Sequence, residues 1–475
     1  MPKVRSFALI PMLTLMVTVF AIACSGPEGP QGLQGIQGPQ GVAGSDGKDG
    51  VDGLAGPQGP QGPQGIAGTN GLDGVEGPAG RQGLQGVAGR TGARGPEGVP
   101  GAPGDSVVRN IPANTTLTNF EDVRANWDTS ITIGADGLGL ISYYDNTNEE
   151  IKVAHCSNTT CSSVSTSTLD STGNVGRGSS ITIGADGLGL ISYMDETDPL
   201  EYKIKVAHCN DVACTSATTS TIDSMGSIAS NTSITIGADG LGLIVYSDYL
   251  TWRLKVAHCE NAACTSATTS TLDSEGYGTH TSITIGADGL GLISYHDISS
   301  RVVSTSDLKV AHCENAACTS ATTSTLDSEG TVGTDTSITI GTDGLGLISY
   351  YDATNRDLKV AHCDNAACTS ATTSTIDSAG PVGHDTSITI GADGLGLISY
   401  YDNTNEEIKV AHCSNTTCSS ATTSTVDSTE VVSRGTSVTI GTDGLGLISY
   451  LDAINSNLKV AHCENTFCSP YFRRR

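Results

Sequence analysis

A histidine and two cysteines recur in this chain at a spacing that suits either a metal ion or a disulfide. The motif His-Cys-x4-Cys is written seven times, and its fourteen cysteines together with Cys24 account for all 15 in the chain. Adjacent side chains of a strand point to opposite faces, so a histidine and the next cysteine do not easily share one metal ion. Cysteines that flank a four-residue loop lie opposite each other, at a separation that a disulfide spans. We therefore predict no metal site and seven disulfides, Cys156–Cys161, Cys209–Cys214, Cys259–Cys264, Cys313–Cys318, Cys363–Cys368, Cys413–Cys418 and Cys463–Cys468.

The histidine of this motif is expected to have a structural role. We expect it to pack between repeats rather than to act in catalysis, at His155, His208, His258, His312, His362, His412 and His462. Two aspartates per repeat invite a calcium interpretation, but one carboxylate per turn supplies too few oxygens without help from neighbours. Asp beside a turn more often bonds its own backbone. We favour that structural role, with bound Ca²⁺ as the alternative, for the aspartate after Ser-Tyr, at Asp145, Asp195, Asp248, Asp297, Asp352, Asp402 and Asp452.

These residues belong to a unit of about fifty residues, a period typical of propeller blades. The element ITIG, written VTIG in the last copy, begins at 131, 181, 234, 283, 338, 388 and 438. Each unit divides into four strand-like segments, which in the second copy are SSITIG, LGLISYMD, KIKVAHC and TSTID. The intervening ADG supplies the glycine that a tight hairpin turn requires. Four antiparallel strands per unit predict an all-β fold over residues 106–475, a seven-bladed β-propeller.

The two ends of the repeat region indicate how the ring closes. The seventh unit stops at CSPYFRRR and lacks its fourth strand. Before the first unit, NTTLTNF at residues 114–120 supplies a spare copy of that strand. We predict that this N-terminal strand pairs with the last blade.

Two connections differ among the copies, whereas the strands and the cysteine loops hardly vary. One follows Ser-Tyr and the other links the fourth strand to the next blade, and in a four-stranded propeller both lie on the same face. Ligands commonly bind to loops carried on a rigid scaffold, although surface loops also drift freely without function. Exposed Trp and Tyr beside acids and amides suit sugar stacking or a protein hot spot. The candidate ligand residues are Trp127, Tyr202, Tyr249, Trp252, Arg253, Tyr277, His280, His296, Arg301 and His384.

The N-terminal quarter follows a different pattern. Every third residue from Gly26 to Gly104 is glycine, which is the pattern of a collagen triple helix, because only glycine fits at its crowded axis. We assign residues 26–105 to a collagen-like stalk and, since a triple helix needs three chains, expect a homotrimer. Proline mostly stands directly after glycine, and the third position is mostly polar, as in GPQ. This placement resembles the collagen-like surface proteins of bacteria, which lack the hydroxylase that modifies proline in animal collagens.

The first residues are typical of an export signal. MPKVRSFALIPMLTLMVTVFAIAC has basic residues, an apolar run and small residues before Cys24. AIAC resembles the lipobox of bacterial lipoproteins, which implies that residues 1–23 are a signal peptide, that Cys24 becomes the N-terminus and that its sulfur carries lipid. An ordinary signal peptide and an uncleaved anchor are the alternatives. All three export the chain, and the lipoprotein interpretation places it at a bacterial cell surface, anchored in the outer membrane. Exported proteins commonly form disulfides.

The repeat itself resembles tryptophan-poor bacterial propeller repeats of the ISYYD…DLKYA kind. It departs from the Asp-box of sialidases, because GADGLG has a different Asp-to-Gly spacing, so no sialidase chemistry is implied. The formal net charge of −26 makes nucleic acid an unsuitable partner, since phosphates are repelled. It also leaves the lipid as the only expected contact with a membrane.

Three functions remain open from these observations. We favour a surface-anchored trimeric adhesion protein whose propeller heads recognise a glycan or protein ligand. The first alternative is a polysaccharide lyase or glycosidase with its site on the variable loops, although no catalytic motif is present. It requires a pair of unrepeated acids, or an acid and a histidine, near the axis, and the unrepeated acids considered are Glu121, Asp122, Glu196 and Glu430. The second alternative is a passive coat or spacer protein.

Overall fold

The computed structural model describes residues 115–225, 231–248, 251, 253–273, 278–298, 306–428, 432–452 and 457–469, with the backbone alone at 115–117, 121–128, 225 and 432–434. The described residues form strands and turns. The strands are β1 Thr115–Ile133, β2 Gly139–Asp145, β3 Glu150–Cys156, β4 Val164–Asp170, β5 Val175–Ile183, β6 Gly189–Asp198, β7 Glu201–Cys209, β8 Ala217–Met225, β9 Ser233–Ile236, β10 Gly242–Asp248, β11 Arg253–Cys259, β12 Ala267–Asp273, β13 Gly278–Ile285, β14 Gly291–Asp297, β15 Asp307–Cys313, β16 Ala321–Asp327, β17 Val332–Ile340, β18 Gly346–Asp352, β19 Asp357–Cys363, β20 Ala371–Asp377, β21 Val382–Ile390, β22 Gly396–Asp402, β23 Glu407–Cys413, β24 Ala421–Asp427, β25 Val432–Ile440, β26 Gly446–Asp452 and β27 Asn457–Cys463. Within this part of the chain, no helix is long and apolar enough to span a membrane.

These strands form seven blades of four antiparallel strands, which confirms the predicted fold class. Blades 2 to 6 are separate four-stranded sheets, ordered from the innermost strand outwards as in β5-β6-β7-β8. Blades 1 and 7 are joined in one sheet, because β1 pairs with both β27 and β2. The first half of β1 pairs with β27, from Thr115 opposite Cys463 to Phe120 opposite Leu458. The second half of β1 is the innermost strand of blade 1. The N-terminal strand therefore closes the ring, as predicted.

The hydrophobic core lies between blades. One cluster combines Leu140 and Val153 of blade 1 with Ile181, Ile191 and Tyr193 of blade 2, and equivalent clusters recur around the ring. The alternating apolar positions of the middle strands face neighbouring blades on both sides, which explains why β2 is buried along its whole length. Burial of this kind stabilises each blade only when its neighbours are present.

A ring of seven serines accepts hydrogen bonds from backbone N–H groups at the inner edge of the propeller. The innermost strands expose backbone N–H groups that no further strand can accept. In every blade, one such group donates to the serine of the preceding blade at 3.2 Å, as Ile131 N does to Ser437 Oγ across the closure. We call these residues the serine ring: Ser130, Ser180, Ser233, Ser282, Ser337, Ser387 and Ser437.

Ion pairs also join neighbouring blades, farther from the axis than the serine ring. Asp170, at the end of β4, accepts hydrogen bonds from Tyr193 Oη at 2.8 Å and Lys205 Nζ at 2.5 Å, both of the next blade. Although burial raises the pKa of Asp170, the bonds from Lys205 and Tyr193 hold it below its ordinary value. Equivalent tyrosine and lysine bonds reach Asp327, Asp377 and Asp427.

All seven predicted disulfides are present, with Cα–Cα distances of 4.8–4.9 Å. Each pins the loop between the third and fourth strands, and all fourteen cysteines are buried. The glycine that opens each second strand packs on the disulfide, so that a Cβ on Gly346 would lie 2.7 Å from Cys363 Sγ. The invariant glycine at this position is therefore explained by the sulfur behind it.

The repeated histidines differ from expectation in their main contact. His155 Nε2 lies 2.8 Å from Oδ2 of Asp136, the aspartate of the ADG turn in its own blade. The other six copies make the same bond at 2.7–2.8 Å. The turn places this carboxylate beside the end of the third strand, so the histidine ties two elements of one blade rather than two blades. Contact with the next blade occurs at His412, whose ring meets Phe467 at 4.9 Å.

The aspartates after Ser-Tyr bond backbone, as predicted. Asp145 Oδ1 accepts from Thr147 N at 2.9 Å, and Asp352 and Asp402 repeat this bond. Asp145 Oδ2 also accepts from Lys152 Nζ at 2.6 Å. A turn-forming and charge-pairing role accounts for these residues.

Candidate functional site

The two connections that differ among copies meet on one face of the ring. Val175 N donates to Glu149 O at 3.0 Å, and Glu196 N donates to Asn174 O at 2.8 Å, so connections of adjacent blades touch. Blades 5 and 6 repeat the pattern with Asn403 N and Pro381 O. We call this the variable face, made of described residues 146–149, 171–174, 199–200, 328–331, 353–356, 378–381 and 403–406. The glycine turns and cysteine loops form the opposite, constant face.

A β-bulge interrupts the innermost strand on its way down from the variable face. The register shifts between Thr334 and Ser337 in blade 5 and between His384 and Ser387 in blade 6. Blades 1, 2, 4 and 7 shift at the equivalent place. Bulges bend a strand and re-aim a side chain, and they are frequent beside functional sites. Here the bulge turns the residue before the Thr-Ser or Ser-Ser pair towards the axis.

This axial position is where the copies diverge most in chemistry. It is occupied by Gly178, Asn231, His280, Asp335, Asp385 and Gly435 in blades 2 to 7, and the equivalent residue of blade 1 is Asp128. Gly178 and Gly435 have positive φ values of 58° and 88°. His280, Asp335 and Asp385 adopt the same left-handed region, at 47°, 54° and 48°. Residues with a Cβ pay roughly 1–2 kcal/mol for this conformation, so three consecutive blades retain side chains at a cost to stability.

The axial residues of blades 2 to 7 and the serine ring line a cavity of about 170 Å³. Its walls are Ser, Thr, Gly, Asn, Asp and His, with no larger apolar side chain among the described lining residues. Blades 4 to 6 contribute the charged wall, whereas blades 2 and 7 contribute glycines. The pocket is therefore polar and asymmetric, although the scaffold around it is nearly sevenfold symmetric.

Asp335 is the centre of the charged wall. Its Oδ1 lies 2.9 Å from His280 Nδ1 and its Oδ2 lies 3.5 Å from His384 Nδ1, so three blades meet at one carboxylate. Asp385 N also donates to Asp335 Oδ2 at 3.1 Å. Burial raises the pKa of Asp335, but the bonds from both histidines and the nearby positive charge outweigh it and hold the pKa well below its usual range. The His384 ring packs on Tyr351 at 3.9 Å between centroids.

A second buried histidine lies behind this group. His296 Nδ1 lies 3.0 Å from Thr279 Oγ1, its Nε2 lies 2.6 Å from Ser306 Oγ, and its ring meets His280 edge-on at 5.7 Å. Burial, followed by the proximity of His280, lowers the pKa of His296 to about 4. His296 is therefore neutral at physiological pH and supports His280 by packing.

Three of the ten predicted ligand residues, His280, His296 and His384, thus come together around Asp335. Tyr202 and Arg253 are described but do not line the pocket. The side chain of Trp127, together with Tyr249, Trp252, Tyr277 and Arg301, lies outside the described residues.

Of the four unrepeated acids named from the sequence, the structure describes the side chain of Glu196. Glu196 pairs with Arg177 at 3.5 Å on the variable face, and Glu121, Asp122 and Glu430 have no described side chains. Asp335, Asp385 and Asn231 were missed. The sequence does contain a signal for these positions. The residue before each Thr-Ser or Ser-Ser pair changes from copy to copy, although the stretch that follows it is nearly constant.

The arrangement offers hydrogen bonding and charge. Among the described residues, no three His, Cys, Asp or Glu side chains are placed to hold a metal ion. Asp335 is committed to two histidines, and the remaining lining groups are mostly hydroxyls. The site is therefore suited to a small polar ligand.

Residues 23–79 and 47–108 match the family model described as "Collagen triple helix repeat (20 copies)". The chain carries collagen-like repeats. This confirms the prediction from the glycine period. No curated protein matches the sequence.

Several solved structures are similar to the chain at low identity. Hydrazine synthase of Kuenenia stuttgartiensis is 11% identical, with a TM-score of 0.48, over 72% of this chain and 97% of that one. The polysaccharide lyase Uly1 is 10% identical, with a TM-score of 0.47, over 72% and 90%. The α-L-arabinofuranosidase Arb93A of Fusarium graminearum is 12% identical, with a TM-score of 0.46, over 62% and 93%. Likenesses at this level carry no argument about what this chain binds or catalyses.

Proposed function

We propose that this protein is an exported binding protein whose variable face recognises a glycan or protein ligand at a bacterial cell surface. In this proposal, residues 1–23 direct export and a lipid on Cys24 anchors the chain in the outer membrane. The collagen-like repeats suggest self-association, and three chains form one stalk. Three linked heads bind a multivalent surface by avidity, so that weak affinity at each head suffices.

The observation that carries this proposal is the strained backbone of three residues at the axis. The bonds that hold the scaffold together recur from blade to blade, whereas His280, Asp335 and Asp385 stand where blades 2 and 7 have glycine. Side chains in the left-handed region persist when the surrounding structure holds them there, and such strain concentrates at ligand sites. Three such side chains meet at one pocket in consecutive blades, and this concentration supports a binding site there.

The position of the chain entry supports the same proposal. Thr115, the first described residue, pairs with Cys463 at the end of β27. That strand ends at the cysteine loop, so the chain enters the propeller on the constant face. The variable face is the one opposite to the point of entry.

A polysaccharide-acting enzyme is the second candidate, because an acid and histidines do lie together at the axis. Asp335 argues against it, since a carboxyl with a pKa held this low stays ionised and does not serve as a general acid near neutral pH. His296 is neutral but buried and engaged on both ring nitrogens. The geometry therefore supports recognition better than catalysis.

The test uses the exported full-length chain. Light scattering and circular dichroism should show a trimer with a collagen-type melting transition, and a glycan and matrix-protein array should show binding. Replacement of residues 378–381 and 403–406 by serine and glycine, with the strands unchanged, should abolish that binding. Release of sugar products from polysaccharides would support the enzyme instead. Binding that is absent, or insensitive to the loops, contradicts the proposal and favours a passive coat protein.

A further inference from the structure

The serine ring gives the axial pocket a floor of hydrogen-bond donors. Each serine oxygen already accepts the backbone N–H of the next blade at 3.2 Å. Its hydroxyl hydrogen is then directed elsewhere, since a hydroxyl both accepts and donates. Within the described part of the chain, none of the seven hydroxyls donates to a protein acceptor. Up to seven donors therefore remain for a ligand or for water.

The rim of the pocket has the opposite character. Asp335 and Asp385 place carboxylates there, and the exposed Asn231 adds an amide that both accepts and donates. His280, with 39% of its side chain exposed, stands beside them. A ligand that reaches from rim to floor must therefore donate hydrogen bonds at one end and accept them at the other.

This polarity excludes several ligand classes. Anions are disfavoured by two carboxylates at the rim of a chain that carries a net charge of −26. A cation satisfies the carboxylates of the rim but offers no acceptor to the serine hydroxyls of the floor, and apolar groups find no apolar side chain among the described lining residues. A neutral polyol satisfies both ends, because every alcohol group donates and accepts.

The volume limits the size of the ligand. Pockets for drug-sized ligands measure roughly 300–1,000 Å³, whereas this cavity measures about 170 Å³. It admits one small ring or the end of a chain, and longer ligands must continue over the variable face.

We propose that the axial pocket binds one neutral sugar unit, whose hydroxyls donate to Asp335, Asp385 or Asn231 and accept from the serine ring. This inference rests on the proposed binding function and names the ligand class within it.

The test compares matched sugars on the full-length protein. Calorimetry and saturation-transfer NMR with glucose, glucuronate and glucosamine vary charge on one ring, and galactose, mannose and fucose vary stereochemistry. We expect at least one neutral sugar to bind at least tenfold more tightly than charged analogues of the same ring. Preference for a charged sugar, or no binding by any neutral one, overturns the inference.

Two variants at the pocket, with one control variant away from it, locate the site. Asn231→Tyr fills the mouth of the pocket and should weaken the preferred sugar by more than tenfold, whereas Val212→Tyr, on the exposed cysteine loop of blade 2 on the constant face, should leave it within twofold. Ser387→Ala removes one floor donor and should weaken binding by about fivefold, as expected for a single hydrogen bond. Glycan-array binding that survives Asn231→Tyr unchanged refutes the axial site but leaves the proposed function standing. An array without any binding refutes both.

Discussion

His280 of blade 4 and Asp335 of blade 5 are joined at the axis, with Nδ1 2.9 Å from Oδ1. Both residues occupy the left-handed region, at φ values of 47° and 54°. His and Asp are among the residue types that tolerate this region best. The charge-assisted bond between them offsets part of the remaining strain. This pairing explains why blades 4 and 5 both have a side chain where blades 2 and 7 have glycine.

Asp335→Asn should destabilise the propeller and flatten its response to acid. The folded pKa of Asp335 lies below its unfolded value, so the ionised group contributes stability above about pH 4, and this is lost as the pH falls further. Asparagine keeps the size and tolerates the same φ but loses the charge. We expect a loss of about 1–3 kcal/mol at pH 7, measured by urea denaturation, which shrinks below pH 4.

Asp357→Asn is the matched control with the opposite sign. Burial and then the nearby Asp352 carboxylate raise the pKa of Asp357, so its ionised form is disfavoured in the folded state. The same chemical change should therefore leave stability at pH 7 unchanged or slightly increased. Equal destabilisation by both substitutions would contradict the role assigned to Asp335.

Thr281→Val should stabilise the protein. In six blades the buried Thr or Ser at this position is bonded, as Thr336 Oγ1 is to Ser294 Oγ at 3.0 Å. Blade 3 has Val245 in place of that serine, and Thr281 Oγ1 is buried without a partner among the described residues. Removal of an unsatisfied buried hydroxyl should gain about 1–2 kcal/mol.

The comparison variant for Thr281 is Thr336→Val, which makes the same change where a partner exists. It should lose about 1–2 kcal/mol, because Ser294 is left without its bond. Both values come from chemical denaturation under identical conditions, and a shift in the same direction for the two variants would disprove the explanation.

Gly346→Ala should be destabilising through the disulfide. The added Cβ would lie 2.7 Å from Cys363 Sγ and 3.0 Å from Leu292 Cδ2, and overpacking of this kind costs about 1–3 kcal/mol. In a background with Cys363 and Cys368 replaced by alanine, the cost should fall, because the sulfur is gone. A double-mutant cycle on thermal or urea unfolding measures this coupling, and an unchanged cost would show that Leu292 alone sets the limit.

His296→Gln should remove a separate acid sensitivity. The folded pKa of about 4 lies below the unfolded value of about 6.5, so the unfolded state binds the proton first. Stability therefore falls as the pH drops from 6.5 towards 4, by up to about 3 kcal/mol. Glutamine keeps a donor and an acceptor for Thr279 and Ser306 without titrating. Unfolding curves at pH 7, 5.5 and 4 should differ between the variant and the wild type mainly between pH 6.5 and 4. This pH range lies above the one in which Asp335 loses its contribution to stability.

The scaffold could be predicted from the sequence because its determinants are local and repeated. A fifty-residue period gave the blade count, a spare strand at residues 114–120 gave the closure, and the His-Cys-x4-Cys spacing gave the disulfides. Each depends on strand geometry that holds regardless of the rest of the chain. Blade-to-blade bonds such as Asp170 with Lys205 were not predicted, since they join strands that are 35 residues apart in sequence.

The site was only partly predictable, because the bulge decides which residue faces the axis. Simple alternation along the strand does not mark Asp335, and its connection, SEGTVGTD, contains no aromatic residue to draw notice. His280 and His384 were found because they are unusual residue types. Their common partner could be found only once three blades were placed around one centre.

The serine-to-amide bond that joins neighbouring blades is the same at all seven junctions, including the one across the closure between Ser437 and Ile131. With respect to this bond, the blades are therefore interchangeable. Recombination between the nearly identical stretches of such a gene can reorder the loops and the axial residues while this bond is kept at every junction. Gain or loss of one blade, in contrast, alters the circumference. The ring can therefore acquire a new set of loops and axial residues by exchange of blades, provided that the number of blades stays at seven.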